Sequence, residues 1–332
     1  MKYFITIVFT LISFTTNIFS QTTPSIQWQK TLGGSGFDAA YSIQQTRDGG
    51  YIIAGYTESN DGNVTGNHGG SDYWIVKLDS NENIIWQKTL GGSDDDRAYS
   101  IQQTKDGGYV VAGYSSSNDG DVKSENQAYC WIVKLDQNGN IIWQNKIGDL
   151  IYGQSIKQTT DGGYIIVGDS PTNDFGIVKL DSNGNVSWQK SFGGKSRGAA
   201  YSVQQTTDGG YVVAGYTYSN DISFTNNQGS ADYWIVKLDA SGNMIWQKTF
   251  GGADSEHAYN IQQTADGGYI VAGETWSADG NDFHRIINYW IIKLDINGNI
   301  IWQKTLGGSG YDEAYSIKQT RDGGYIIAGY TG

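Results

Sequence analysis

Apolar and polar positions along this chain follow short patterns that predict β-strands. One unit holds four such segments, in which apolar and polar residues alternate or β-branched and aromatic residues predominate: residues 40–46, 51–56, 73–78 and 84–90. Gly49 and Gly50 separate the first two segments and permit a tight hairpin turn. Ile52 and Ile53 are consecutive apolar residues, so both faces of the second strand need burial. The unit therefore predicts four antiparallel strands in a sheet that is covered on both faces.

This unit of roughly fifty residues is repeated along the chain. An Asp-Gly-Gly-Tyr motif begins at Asp48, Asp106, Asp161, Asp208, Asp266 and Asp322. A Trp-Gln pair begins at Trp28, Trp86, Trp143, Trp188, Trp246 and Trp302, and we expect these copied Trp side chains to lie in the core. A blade of a propeller lies between two others, so both its faces are apolar. We predict an all-β fold, a β-propeller of four-stranded antiparallel blades.

The repeats predict five complete blades and a partial sixth. The chain opens with a lone fourth strand at 26–32 and closes with the first two strands of a sixth unit at 314–331. The propeller domain is thus expected to span 26–332. Either the ring closes on this shortened blade, or the sequence is truncated at its C-terminus. We favour truncation, because Gly332 stands where the longer loop of the unit should begin.

The first twenty residues differ from all that follow. A basic Lys2 precedes an apolar run over 3–14, and Ser20 is a small residue at a suitable cleavage point. We predict a signal peptide at 1–20, a short linker at 21–25, and a secreted or cell-surface protein. The alternative is a retained N-terminal anchor. No later segment is long and apolar enough to predict a transmembrane span.

Charge and cysteine content narrow the possible partners. The formal net charge is −12, with 34 acidic residues against 22 Lys and Arg. Such a surface repels phosphate backbones, so we expect no nucleic-acid partner. Cys130 is the only cysteine, which excludes an intrachain disulfide, and we expect it to be a small buried apolar residue. We also expect a monomer.

The whole repeat resembles that of a known family. The residues that carry the resemblance are Trp86-Gln87-Lys88-Thr89-Leu90-Gly91-Gly92, Tyr99-Ser100-Ile101-Gln102-Gln103-Thr104, Asp106-Gly107-Gly108-Tyr109 and Trp131-Ile132-Val133-Lys134-Leu135-Asp136. They are similar to secreted propeller-repeat proteins of Bacteroidota, with kelch-like and quinoprotein-like blades. The resemblance implies the fold and export but no activity. Many such proteins carry a type IX sorting domain, which we do not find within these residues.

Candidate binding residues lie in the loops between second and third strands, which vary while the turns are copied. Function on a repeated scaffold concentrates on variable loops, and these loops share one face with the links between blades. The fourth and fifth loops depart most from the pattern, and their candidate ligand-binding residues are Tyr218, Phe224, Trp276, Phe283 and His284. Exposed aromatics beside polar groups suit sugar rings. The alternative is that these rings pack on neighbouring loops.

Carboxylates also recur on this face. One set precedes the first strand of each unit: Asp38, Asp96, Glu256 and Asp312. A second set lies early in the variable loops: Asp61, Asp119, Asp221 and Asp279. A ring of such oxygens could bind Ca²⁺, the one cofactor that the sequence suggests. We favour the alternative, in which these carboxylates cap turns and were copied with the repeat.

Enzyme signatures are sparse. The chain has three His, in dissimilar contexts and without metal-ligand spacing. The first hypothesis is therefore a non-enzymatic propeller that binds a glycan or a protein partner. The second is an extracellular polysaccharide hydrolase or lyase, which needs a pair of carboxylates at a set separation. The third is a structural module of a larger surface protein.

Overall fold

A computed structural model describes residues 26–123, 129–172, 175–220, 230–277 and 287–332. These residues form 22 strands and no helix, which confirms the all-β prediction. Accordingly, the described residues include no helix that could cross a membrane. The predicted signal peptide and linker lie outside the described residues, and so do five of the candidate residues: Asp221, Phe224, Asp279, Phe283 and His284.

Five antiparallel sheets have four strands each, in sequence order. The first sheet holds β1 (Asp38–Gln45), β2 (Tyr51–Thr57), β3 (Asp72–Leu78) and β4 (Ile84–Leu90). The second holds β5 (Asp96–Gln103), β6 (Tyr109–Ser115), β7 (Cys130–Leu135) and β8 (Ile141–Ile147). The third holds β9 (Tyr152–Gln158), β10 (Tyr164–Asp169), β11 (Phe175–Leu180) and β12 (Val186–Phe192).

The later sheets follow the same plan. The fourth holds β13 (Gly198–Gln205), β14 (Tyr211–Thr217), β15 (Asp232–Leu238) and β16 (Met244–Phe250). The fifth holds β17 (Glu256–Gln263), β18 (Tyr269–Thr275), β19 (Asn288–Leu294) and β20 (Ile300–Leu306). The sixth sheet has only two strands, β21 (Asp312–Gln319) and β22 (Tyr325–Thr331). The count matches the predicted five complete blades and a partial sixth.

Each sheet packs face to face against the next. Apolar clusters lie between consecutive sheets; the one between the first and second sheets includes Ile52, Ile75, Ile101 and Val111, all of them buried. Ile101 is 2 % exposed, whereas the equivalent Ile43 of the first sheet is 58 % exposed. Ile326 on the sixth sheet is 63 % exposed. These two outer faces are uncovered, so the sheets do not close into a ring.

The prediction of a strand at 26–32 is wrong. Residues 26–32 contain no strand, and they separate from the sheets, which begin after Gly33. A fourth strand needs a third strand as its hydrogen-bonding partner. The sixth sheet has none among the described residues, because it consists of β21 and β22 alone.

The sequence predicted that the copied Trp residues all lie in the core, and this prediction is wrong for some of them. Five of the six Trp-Gln residues stand on the fourth, outermost strand of a sheet, and Trp28 lies in no strand. Trp143 is half-buried, and Trp302 is 37 % exposed. The fully buried indoles are instead Trp131 and Trp234 of the third strands, each 1 % exposed. The Trp residues of the fourth strands pack on one side against a second-strand Tyr, as Trp143 does on Tyr164, and they bury less than the third-strand indoles. Cys130 is fully buried, as predicted.

The Asp-Gly-Gly-Tyr motif is copied because its Asp holds two strands together. In the fourth sheet, Asp208 accepts hydrogen bonds from Thr206 and from the Gly210 amide. Its Oδ2 also lies 2.8 Å from the ammonium of Lys237, a side chain that is 4 % exposed. All five complete sheets have this ion pair, at 2.8–2.9 Å. A buried charge requires such a partner, which explains why the Asp and the Lys recur together.

The Gln-Gln-Thr motif joins neighbouring sheets along the first strand of each sheet. These first strands contact one another and are the innermost strands, nearest the axis around which the sheets are arranged. Gln44 Oε1 accepts a hydrogen bond from the Gln103 amide of the next sheet at 2.7 Å. Gln103 Oε1 in turn accepts from the Arg47 amide of the preceding sheet at 3.0 Å. The first strand is the edge of its sheet, so its outward amides would otherwise lack strand partners. The paired glutamines satisfy these amides and set the alignment between sheets.

Candidate functional site

Tyr218 and Trp276 occupy equivalent positions where the second strand passes into the variable loop. The Tyr218 amide donates to the Arg197 carbonyl at 2.8 Å, and the Trp276 amide donates to the Ser255 carbonyl at 2.9 Å. Each bond ties the loop to the residue just before a first strand. Both aromatic residues therefore lie on the face where variable loops and links between sheets meet.

The two side chains differ in their surroundings. Tyr218 is 38 % exposed, and its ring meets the edge of Tyr216 at 5.5 Å between centroids and 86° between planes. Trp276 is half-buried, and its indole N–H is buried without a hydrogen-bond acceptor in the described parts of the chain. Tyr218 thus offers a ring surface to a ligand, and Trp276 retains an unused donor.

Tyr218 belongs to a larger group of rings in the fourth and fifth sheets. We name this group the axial aromatic cluster, and it comprises Tyr201, Tyr216, Tyr218, His257 and Tyr259. Tyr216 lies 4.5 Å from His257, at 82° between the rings, and Tyr201 lies 5.8 Å from Tyr216. Tyr201 and Tyr259 are 5.3 Å apart across the boundary between the two sheets. Tyr201 and Tyr259 stand on the innermost strands, so the cluster reaches from the variable-loop face to the axis.

Charged groups accompany these rings. His257 Nδ1 lies 2.6 Å from Oε1 of Glu274, whose side chain is 4 % exposed. Asp169 of the third sheet is also near the cluster. Burial raises the pKa of the Asp169 carboxyl to about 6, and the Arg197 guanidinium only partly offsets this effect. Asp169 Oδ1 is buried and has no hydrogen-bond partner among the described residues. The site thus combines ring faces with charged groups that are incompletely satisfied.

The first and second sheets carry a related but different group. Tyr41 and Tyr99 lie 5.3 Å apart on the innermost strands, and the Arg97 guanidinium stands 4.9 Å from the centre of the Tyr56 ring. Tyr129 stacks on Tyr114 at 5.7 Å, with 2° between the rings. Rings therefore surround the axis, while the pair formed by His257 and Glu274 marks the fourth and fifth sheets.

The carboxylates predicted just before the first strands are the first residues of those strands, and they hold the links between sheets. Asp96 Oδ2 accepts from the Gly92 amide at 2.8 Å and from the Ser117 hydroxyl at 2.8 Å. Glu256 accepts from the equivalent Gly252 amide at 2.8 Å and, in place of a loop serine, from the Thr275 hydroxyl at the end of the second strand at 2.9 Å. The equivalent Asp38 and Asp312 accept from Gly34 and Gly308 amides.

The two described members of the second set of acids also accept hydrogen bonds from backbone amides. Asp61 and Asp119 accept from the Ser35 and Ser93 amides, both at 2.7 Å. Hydrogen bonds to backbone amides explain why these acids are copied with the repeat. No group of three His, Cys, Asp or Glu side chains within the described residues is arranged to hold a metal ion. Ca²⁺ binding at these acids stays the untested alternative.

A cleft of about 1330 Å³ lies between the fourth and fifth sheets, and we assign it no ligand. Gln303 and Thr305 of the outermost strand line it. Their first-sheet equivalents, Gln87 and Thr89, hydrogen-bond to Thr65 of the variable loop. This position therefore serves to hold a loop in the first sheet.

Sequence reasoning overlooked Asp169 and Glu274, although the sequence contains a signal for them. Both stand at the sixth position of a second strand, where the other sheets carry a Tyr such as Tyr56, Tyr114 or Tyr216. Departures from the repeat were sought in the loops, but these two fall within strands. Glu274 meets His257 across the paired first and second strands of the fifth sheet, whereas Asp169 meets Arg197 through the packing of separate sheets.

The chain was compared with known proteins. No family model and no curated protein matches it. Solved structures do match. The match to the WD40 domain of Pan2 from Neurospora crassa covers 87 % of this chain and 85 % of that domain's chain, with 12 % identity and a TM-score of 0.50. Sqt1 from Chaetomium thermophilum covers 85 % and 75 %, with 13 % identity and a TM-score of 0.46.

A europium-containing methanol dehydrogenase covers 86 % of this chain and 64 % of its own, with 11 % identity and a TM-score of 0.43. Such identities carry no information about activity. The similarity to the Pan2 domain, together with the face-to-face sheets, shows that this chain has a β-propeller fold.

Proposed function

We propose that this protein is a secreted or cell-surface, non-enzymatic propeller that binds a glycan or a protein partner through its variable-loop face. The observation that carries the proposal is the axial aromatic cluster with its attached charges. Tyr218 exposes one ring on that face and packs against Tyr216, whose ring in turn packs against His257. Rigid, partly exposed aromatics are the residues that dominate binding energy at recognition surfaces.

The chemistry of the cluster favours a glycan among these ligands. A sugar ring presents an apolar face to an aromatic ring and hydroxyls to polar side chains. The Trp276 indole N–H and the Asp169 Oδ1 are a donor and an acceptor without partners among the described residues. Both atoms are buried, so the exposed Tyr218 ring is the group that a sugar can contact directly. The predicted export of the chain would place it among extracellular glycans.

A glycan array probed with the purified protein tests this proposal. Tyr218→Ala should weaken binding to the captured glycan by about 1–2 kcal/mol, as loss of an aromatic anchor does. Tyr129→Ala is the matched control, because Tyr129 is 45 % exposed and stacks on Tyr114 in the second sheet. If Tyr129→Ala weakens binding as much as Tyr218→Ala does, the site lies elsewhere on the face.

The same preparation separates binding from catalysis. Extracellular polysaccharides are incubated with the protein, and reducing ends are measured. We expect none to be released. A protonated carboxyl is what glycoside hydrolysis requires of its acid, so Asp169 is the residue to examine if cleavage occurs. Release that Asp169→Asn abolishes would establish the hydrolase in place of the binding protein.

A further inference from the structure

The sixth sheet has an open strand edge. It consists of β21 and β22 alone, so the outer edge of β22 has no neighbouring strand in the described parts of the chain. None of the seven residues of β22 is buried, whereas all seven residues of the equivalent β18 are buried in the fifth sheet. Such an edge presents backbone N–H and C=O groups to any strand that can pair with them. Three features around β22 determine which side chains a matching strand has to carry.

The first feature is Asp322. Its hydrogen bonds within the turn are those of the equivalent Asp in the complete sheets. In all five complete sheets that Asp also pairs with a third-strand Lys at 2.8–2.9 Å, but Asp322 has no ion pair among the described residues. The Lys stands opposite the second residue of the second strand, as Lys293 stands opposite Ile270. A strand that pairs with β22 in the same register therefore needs a Lys opposite Ile326.

The second feature is the hydroxyl of Tyr289. Tyr73, the equivalent residue of the first sheet, donates at 2.9 Å to the carbonyl of Trp131 in the third strand of the next sheet, and the fourth sheet has the same bond at 2.8 Å. Trp131 stands opposite Gly113, the equivalent of Gly329. A Cβ added to Gly329 would lie 2.7 Å from the Tyr289 hydroxyl, which has no acceptor in the described residues. A strand residue opposite Gly329 would supply this acceptor.

The third feature is a cavity of about 280 Å³, which Tyr289, Leu306 and Ile327 line. The equivalents of these residues between the first and second sheets belong to one buried cluster with Trp131: Tyr73, Leu90 and Val111. The ring of Trp131 lies 4.7 Å from the ring of Tyr73, and its side chain is 1 % exposed. The cavity is therefore the space that a third-strand Trp fills between complete sheets.

We propose that the open edge of β22 binds an extended segment of another protein as an added antiparallel strand. The segment carries a Trp opposite Gly329, two apolar residues, and then a Lys opposite Ile326. The Trp fills the cavity and offers its carbonyl to Tyr289, while the Lys pairs with Asp322. In strand addition of this kind, main-chain hydrogen bonds give affinity and side-chain pockets give specificity.

A folded second copy of this chain does not fit the edge. The third strands of the complete sheets are hydrogen-bonded on both edges, as β15 is to β14 and β16. A second β22 has a free edge, but its sequence contains neither Trp nor Lys. The partner is therefore a polypeptide whose Trp and Lys segment is unpaired before it binds. This contact is independent of ligand binding at Tyr218.

The probe is a synthetic peptide with the sequence of residues 232–243, which holds the third strand β15 and its turn. It carries fluorescein at its N-terminus, and its binding to the whole protein is measured by fluorescence anisotropy. We expect saturable binding, together with protection of β22 amides from hydrogen exchange in the complex. A peptide of the same composition in scrambled order should not bind.

Asp322→Asn should weaken binding of the peptide about tenfold, because it removes the charged partner of the Lys. Asp266→Asn is the matched control, since Asp266 is the equivalent residue of the fifth sheet and already pairs with Lys293. This control should bind the peptide as the wild type does. Lys237→Ala in the peptide should weaken binding to the wild type but should add little to the loss in Asp322→Asn, because both changes break one pair.

Three outcomes would overturn the proposal. The peptide fails to bind the wild type, the two Asn variants weaken binding equally, or the protected amides lie outside β22. Sedimentation of the protein alone tests the competing occupant. A dimer with protected β22 amides, in a protein that does not bind the peptide, would assign the edge to a second copy of the chain.

Discussion

Asp169→Asn should make the protein more stable, although it removes a charged residue from the candidate site. Burial raises the pKa of the Asp169 carboxyl from 3.8 to about 6. Ionisation is therefore harder in the folded state than in the unfolded chain. Asn is the neutral isostere of Asp, so it has no free-energy cost of ionisation in the folded state. It also keeps the size of the side chain and its capacity to form hydrogen bonds.

The magnitude and the pH window follow from this shift. Roughly two pKa units correspond to about 3 kcal/mol, at about 1.4 kcal/mol per unit. Below about pH 4 both states are protonated, and Asp169 costs nothing. As the pH rises from about 4 to 6, the unfolded chain loses its proton first and the wild type becomes progressively less stable. We expect Asp169→Asn to gain about 2–3 kcal/mol above pH 7 and little at pH 3.5.

Asp161 in the same sheet provides a control of opposite sign. Its carboxyl pKa is lowered to about 2, since burial is outweighed by hydrogen bonds from Thr159 and Lys179 and by the charge of Lys179. The Asp161 side chain is 61 % exposed, so solvent screening reduces its contribution to about 1 kcal/mol. Asp161→Asn should cost about that much at pH 7, and the cost should disappear as the pH falls from about 4 to 2.

Urea unfolding followed by tryptophan fluorescence, at pH 7.5, 5 and 3.5, measures both variants. The reasoning about Asp169 is refuted if Asp169→Asn is no more stable than the wild type at pH 7.5. It is also refuted if the gain is the same at pH 3.5, because the stabilisation would then not come from the carboxyl charge.

Three further predictions concern the scaffold. Trp234→Ala should cost about 3–5 kcal/mol and Trp143→Ala clearly less, because only the former indole is fully buried; equal losses in chemical unfolding would contradict this division. Gln262→Ala should lower the free energy of unfolding by about 1 kcal/mol, since it removes the bond to the amide of the sixth sheet; an unchanged urea midpoint would count against it. Ca²⁺ should change the melting temperature little, and a large rise that Asp61→Asn with Asp119→Asn abolishes would show that these acids bind the ion.

The sequence by itself determined the repeated unit, its strands and its turns. Alternation along residues 40–46 and the glycines of the Asp-Gly-Gly-Tyr motif are local signals, because they act through neighbouring residues and one hairpin. Strands with apolar side chains on both faces then required each sheet to be covered on both faces by other sheets. A copied pattern of this kind predicts an architecture, since every copy has to meet the same demand for burial.

Only the tertiary structure decided which side chains meet. The strand predicted at 26–32 is absent. Local propensity favours a strand there, but a strand also needs a hydrogen-bonding partner, and the sixth sheet has no third strand among the described residues. The opposite roles of Asp161 and Asp169 are also invisible locally. Asp161 pairs with Lys179 of the same sheet, whereas Asp169 is desolvated and its Oδ1 has no hydrogen-bond partner among the described residues. Tyr201 meets Tyr259 across the boundary between the fourth and fifth sheets. Such contacts depend on distances between residues far apart in the chain, which are set by how the sheets pack around their axis.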